Sequence, residues 1–175
     1  MVYRFLLLSD EADNFQREIQ INSDATFLDF HNVILKATGY DEKSFYSFFI
    51  CGDEWNKHTE ITQIEMDTSS EEDSFVMDDT RIEELVEDER QKLLYVFDPM
   101  TERAFYIELR EIITGKDIRE PLITKSSGEP PAQFVDFDHE VKTFTNDTDD
   151  NFYGDEDFNE EDLEGYEQID NIEEY

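Results

Sequence analysis

The sequence predicts an α+β fold: a mixed or antiparallel sheet of about five strands packed on one main helix. Three observations carry that expectation. Apolar and polar residues alternate with period two around Ile19 and again around Ile107. Between them lies a capped stretch with apolar residues at helical spacing. Aromatic residues, 15 Phe and 8 Tyr among 175, offer core-forming surface although 35% of the chain is charged and mean hydropathy is −0.70.

Val2 to Leu8 is β-favouring, and Phe15 to Ile21 alternates apolar with polar. The turn-rich linker Asp10-Glu11-Ala12-Asp13-Asn14 makes the two an antiparallel hairpin. The main helix follows. Thr26 caps it, and Asp29 three positions on completes a short-armed capping box. Phe27, Phe30, Ile34 and Ala37, with Val33 beside them, form one apolar face. Gly39 stops the helix from the C′ position. Phe45 to Cys51 is aromatic and continuous, and reads as a buried strand. Thr80-Arg81-Ile82-Glu83 opens a second, short helix through Leu85 and Val86. Leu93 to Asp98 and Arg103 to Ile113 form a last strand pair joined by Pro99-Met100-Thr101-Glu102. In the longer strand, Phe105, Ile107, Leu109 and Glu111 share one face, while Tyr106, Glu108 and Arg110 share the other. Phe27, Phe30, Ile34, Phe48, Leu94, Tyr95, Phe105 and Ile107 are expected to meet in one core. The order ββαβ(α)ββ favours a β-grasp-like topology.

Charge divides the chain. Against 14 Lys and Arg stand 47 Asp and Glu, a net charge of −33. Residues 145–175 hold 14 of the acids and no Lys or Arg, which leaves 33 acids and 14 bases, net −19, in residues 1–144. One domain is therefore expected over residues 1–144, and an acidic, disordered tail over residues 145–175. A second acidic block, Glu65 to Glu89, holds 12 acids. Its first part, Asp67 to Ser74, has no apolar residue to bury and predicts a mobile loop over residues 66–79.

The same charge repels a phosphate backbone and an anionic membrane surface, so direct nucleic-acid or membrane binding is not expected. A single cysteine, Cys51, excludes an internal disulfide framework and a thiolate zinc cluster. The N-terminal apolar run has one basic residue and ends at Ser9-Asp10, short of a signal-peptide core, and no stretch is long enough to span a bilayer. A cytoplasmic location is the expectation.

Four segments in this order resemble the plasmid ORF-3-like family, also described as TnpR-like or resolvase-like proteins of insertion elements. Thr26 to Tyr40 is similar to the family's T-L-x-x-L-H-x-x-I-x-x-A-x-G-W. Phe45 to Trp55 is similar to its aromatic strand, glycine turn and following aromatic. Leu94 to Asp98 is similar to F-x-Y-x-Y-D, and Gly128-Glu129-Pro130-Pro131 to its late G-x-x-P-P-E-D loop. The resemblance covers residues 2–138 and implies an α+β fold, with no activity to transfer. The chain departs from the pattern at Arg17, alone where the family has Trp-Arg-Arg, at Pro99 to Arg103, and after Pro131.

Among individual residues, His31 lies one position past the Phe30 face, where a partly buried imidazole tied to a carbonyl or carboxylate is expected. A polar site of His31, Asp98 and Glu129 is the functional alternative. Cys51 and His58 are the residue types of a nucleophile and its base, but a thiol ending an aromatic strand is expected to be buried and inert. His139 has no recognisable context. Asp149, Asn151, Gly154, Asp155, Asp157 and Glu160 follow EF-hand spacing, but Tyr153 stands where an oxygen ligand is required and Glu156 where an apolar residue packs. No metal and no cofactor are expected. In the tail, Phe158, Leu163, Tyr166 and Ile169 punctuate the acids, a pattern of segments that fold on a partner.

The leading functional expectation is a non-enzymatic module that recognises a basic protein. An acidic nucleic-acid mimic inhibiting a DNA-binding protein is the alternative, favoured if the Glu65–Glu89 acids are ordered. An enzyme using His31 and Asp98 is the third. With a net charge of −33, self-repulsion should lower stability at low salt. Raising ionic strength with a non-chaotropic salt should raise the melting temperature. A fall would mean that attractive ion pairs outweigh the repulsion.

Overall fold

The computed structural model describes residues 1–65 and 75–135, which belong to a unit spanning Met1–Val135. β1 (Val2–Ser9) turns into β2 (Gln16–Asn22), and α1 (Phe27–Thr38) follows. A hairpin of β3 (Ser47–Cys51) and β4 (Lys57–Thr62) precedes β5 (Phe75–Val76) and the single turn of α2 (Ile82–Leu85). A second hairpin joins β6 (Lys92–Asp98) to β7 (Arg103–Ile113), and β8 (Leu122–Ser127) comes last. All strands among the described residues form one mixed sheet in the order β5-β4-β3-β6-β7-β1-β2-β8. Every neighbouring pair is antiparallel except β4 and β5.

The α+β class holds, but the sheet has eight strands rather than about five. β1 also runs antiparallel to β7, so the β-grasp-like order is corrected: that topology requires its first strand to lie parallel to a later one. Three strands escaped the sequence pattern. β4 buries only Ile61, and every residue of β8 is exposed, so neither alternates. β5 lies inside the segment expected to be a mobile loop.

That expectation fails for residues 75–79, and the reason lies in α1. The first N–H groups of a helix have no partner within it. Here Phe27 N–H donates to the Thr80 carbonyl at 3.0 Å and Leu28 N–H to the Met77 carbonyl at 2.8 Å. Met77 in turn donates to the Thr62 carbonyl and is fully buried. Thr26 and Asp29 form the expected capping box, and Gly39 closes the helix at φ 72° with its N–H on the Leu35 carbonyl. α2 begins one residue later than expected. Its cap is Arg81, whose N–H donates to the Glu84 carboxylate at 3.2 Å.

Tyr3, Phe5, Leu7, Ile19, Ile21, Phe48, Tyr95, Phe105 and Ile107 pack with Phe27, Phe30 and Ile34 of α1 in one core. Phe30 is its centre, stacked between Phe5 at 4.6 Å and Phe48 at 5.3 Å between ring centroids. Leu94, expected in this core, instead packs on the opposite face of the sheet with Cys51, Val96 and Ala104. Alternation along β6 requires that once Leu93 and Tyr95 face α1. Glu111 also changes sides. A bulge pairs Arg4 with Glu111 and Phe5 with Leu109, so Glu111 joins Arg4 in a 2.9 Å ion pair. Phe45, read as part of a buried strand, precedes β3 and is 73% exposed.

After β8, residues 128–135 form a strap held by polar contacts. Gly128 has φ +68°, and a Cβ there would lie 2.3 Å from the Asn14 carbonyl oxygen, so only glycine fits. Arg17, 5% exposed, donates to the carbonyls of Ala37, Ser127 and Gly128. Arg103 donates to the carbonyls of Ala132 and Gln133. The expected domain boundary at residue 144, the tail from residue 145 and loop residues 66–74 lie outside the described residues.

Truncating the central ring should show how much the fold rests on it. Phe30→Ala should cost about 3–5 kcal/mol in urea unfolding, the usual range for a fully buried phenylalanine. A variant as stable as the parent would contradict the packing of α1 on the sheet.

Candidate functional site

Among the described residues, those nominated from sequence do not meet in one site. His31 is 3% exposed and sits inside the helix–sheet interface. Its partners are neither carbonyl nor carboxylate, contrary to expectation: Nδ1 lies 2.7 Å from the Tyr95 hydroxyl and Nε2 lies 3.3 Å from Gln63 Nε2. Gln63 assigns the proton. Its Oε1 accepts from Tyr46 N–H at 3.0 Å, so its amide nitrogen donates to His31 Nε2 and the imidazole proton is on Nδ1. Burial lowers the His31 pKa from 6.5 to about 4. The neutral ring is a packing and hydrogen-bonding element between Tyr46 and Tyr95, 4.9 and 5.9 Å away by ring centroid.

Asp98 ends β6 and organises the following turn. Its carboxylate accepts from the Thr101 hydroxyl at 2.7 Å and from Met100 N–H at 3.1 Å, and Arg103 lies 3.9 Å away. The Thr101 hydroxyl leads in holding its pKa below the ordinary carboxylate value, with the turn N–H groups and Arg103 adding to it. Glu129 is exposed on the strap. Among the described residues, His31, Asp98 and Glu129 share no hydrogen bond or ion pair. Cys51 and His58 do not pair either. The Cys51 thiol is buried, points to the Phe49 carbonyl at 3.6 Å and has its pKa raised by burial, while exposed His58 meets Asn56 at 2.9 Å. His139, the EF-hand-like stretch and Phe158, Leu163, Tyr166 and Ile169 lie outside the described residues.

A chemically distinctive concavity lies where α1 has drawn residues 75–84 onto the sheet. Glu65, Asp78, Asp79 and Glu84 line a cleft of about 730 Å³ beside β5, with Phe75, Val76 and Thr80. Among the described residues, none that lines it is basic. None of the four carboxylates is in an ion pair among the described residues. Four like charges in one concavity focus a negative potential suited to a Lys- or Arg-bearing ligand. Composition marked this acidic block; which of its carboxylates share a concavity depends on the Met77 and Thr80 contacts, which leave no sequence pattern. Among the described residues no group of His, Cys, Asp and Glu is arranged to hold a metal ion, and no helix is long and apolar enough to cross a membrane.

The family model described as Plasmid pRiA4b ORF-3-like protein matches residues 3–167. No curated protein matches the sequence. Among solved structures, a protein of unknown function from Methanosarcina mazei Go1 is similar, with a TM-score of 0.52 and 17% identity over 71% of this chain and 68% of that one. At that identity the likeness concerns the fold.

The lowered His31 pKa gives a signed pH dependence. Below about 6.5 the unfolded imidazole takes a proton that the folded one refuses until about pH 4. The stability that neutral His31 provides is complete above pH 6.5 and is lost as pH falls towards 4. His31→Gln removes this linkage. The stability advantage of the parent over the variant should shrink between neutral pH and pH 4, by on the order of 3 kcal/mol. Parallel stability–pH curves in urea melts would contradict the assignment.

Proposed function

This chain belongs to the plasmid pRiA4b ORF-3-like family, and we propose that it acts as a non-enzymatic interaction module recognising a basic partner protein. One observation carries the reading: Glu65, Asp78, Asp79 and Glu84 line a single cleft with no base among its described walls. Complementary charge steers association and selects partners more than it sets affinity. An enzymatic role for His31 and Asp98 has less support, since the imidazole is buried and neutral and the carboxylate is engaged in its own turn. The resolvase-like description would require a basic surface for DNA, which a net charge of −33 opposes. Phe158, Leu163, Tyr166 and Ile169 remain a proposed second binding segment, tested by replacing Leu163, Tyr166 and Ile169 with Ser.

One observation favours the nucleic-acid-mimic reading as an alternative. Within the acidic block, Glu83 accepts from the Ser23 hydroxyl, Glu84 from Arg81 N–H and Glu89 from Ile112 N–H, which fixes three carboxylates in place. A mimic holds negative charge in a rigid array. If the partner is a DNA-binding protein, duplex DNA should displace it from this chain.

The primary reading is tested with a fluorescein-labelled oligolysine peptide. Combining Glu65→Gln, Asp78→Asn and Asp79→Asn should weaken its binding about tenfold at physiological ionic strength. The charge-matched control, Asp117→Asn with Glu120→Gln and Glu129→Gln on exposed positions, should weaken it far less. Equal losses would reduce the effect to net charge and contradict a cleft.

A further inference from the structure

We propose that the basic partner segment carries an apolar anchor side chain, which docks in a groove on the face of the sheet away from α1. The proposal rests on the cleft reading above and adds what lies next to it. A groove of about 390 Å³ is lined by Phe45, Phe49, Ile64, Val96 and Pro99. Phe49 and Val96 belong to the outer face, since their neighbours Phe48 and Tyr95 point into the α1 core. Phe45 is 73% exposed and Ile64 62% exposed, so two large apolar side chains at one concavity remain open to water. Such a concentration marks a binding surface better than scattered exposed residues do.

Charge identifies the occupant. Gln63 and Ile64 line both this groove and the acidic cleft, so the two concavities adjoin. Within the groove itself, Glu60 and Glu102 outnumber Lys57, whose ammonium lies over the Phe49 ring at 4.5 Å. An apolar pocket continuous with a carboxylate-lined cleft fits an extended segment with Lys or Arg on one side of an aliphatic or aromatic residue. A neutral apolar small molecule would use the groove and leave the cleft empty.

Two labelled peptides test this on the full chain: a short oligolysine with one central leucine, and the same peptide with glycine in its place. The leucine peptide should bind about tenfold more tightly, the factor supplied by burying that side chain. Phe45→Ser, at an exposed groove position that does not line the cleft, should remove most of the difference and leave the glycine peptide's affinity unchanged. Neutralising Glu65, Asp78 and Asp79 should weaken both peptides by the same factor. Equal binding of the two peptides, or a leucine preference that survives Phe45→Ser, would overturn the anchor proposal while leaving the basic-partner reading standing. Failure of both peptides to bind would overturn both.

Discussion

The contact between α1 and the sheet is the constraint on which the rest of this molecule depends. Phe30 lies between Phe5 and Phe48, joining β1 and β3, which are separated in the sheet by β6 and β7. That stack fixes the helix axis. The fixed helix then presents its unsatisfied first-turn N–H groups at one end, and the Met77 and Thr80 carbonyls satisfy them. Seating those two carbonyls places Asp78 and Asp79, which lie between Met77 and Thr80, in the same cleft as Glu65 and Glu84. Carboxylate repulsion opposes this arrangement, and the helix end and the burial of Met77 hold it. The acidic cleft is thus a consequence of how the hydrophobic core is built.

The segments that resemble the family have structural tasks in this chain. His31 and Tyr95 meet in the core, and Gln63 completes their hydrogen bonding. Tyr40, next to the closing Gly39, packs on Phe97 at 5.1 Å and donates to the Pro131 carbonyl at 2.5 Å. Gly128 lets the chain pass against Asn14. Gln133 joins the end of the strap to the Asp41 N–H and to the Tyr46 hydroxyl at 2.7 and 2.8 Å. Of these residues, His31 alone reads in sequence as a candidate for chemistry. In three dimensions they close one sheet end over one helix.

Much of the fold was legible where burial imposes a period. β1, β2, α1 with both its caps, and the β6–β7 hairpin follow from alternation, helical spacing and turn residues. β8 was illegible because an exposed edge strand has no face to bury, and β4 because Ile61 alone marks its inner side. β5 was illegible because its two residues, Phe75 and Val76, follow an acidic run and are too few to show alternation. The Glu111 face was missed because a bulge shifts register without a sequence signal. For the candidate site, the acids were visible and their grouping was not: Glu65 and Glu84 converge through contacts between chain-distant backbone groups. The His31–Tyr95 pair, 64 residues apart in sequence, was hidden for the same reason.

The proposed docking site for a basic partner within the described residues lies at the end of the sheet that α1 organises. Mapping backbone amide chemical shifts by NMR during titration with the leucine-bearing oligolysine peptide tests it directly. The largest changes should fall on residues 45–49, 63–65 and 75–84, with little movement along β2 and β8. Changes spread evenly over every acidic surface, or centred on the β2–β8 edge, would contradict it.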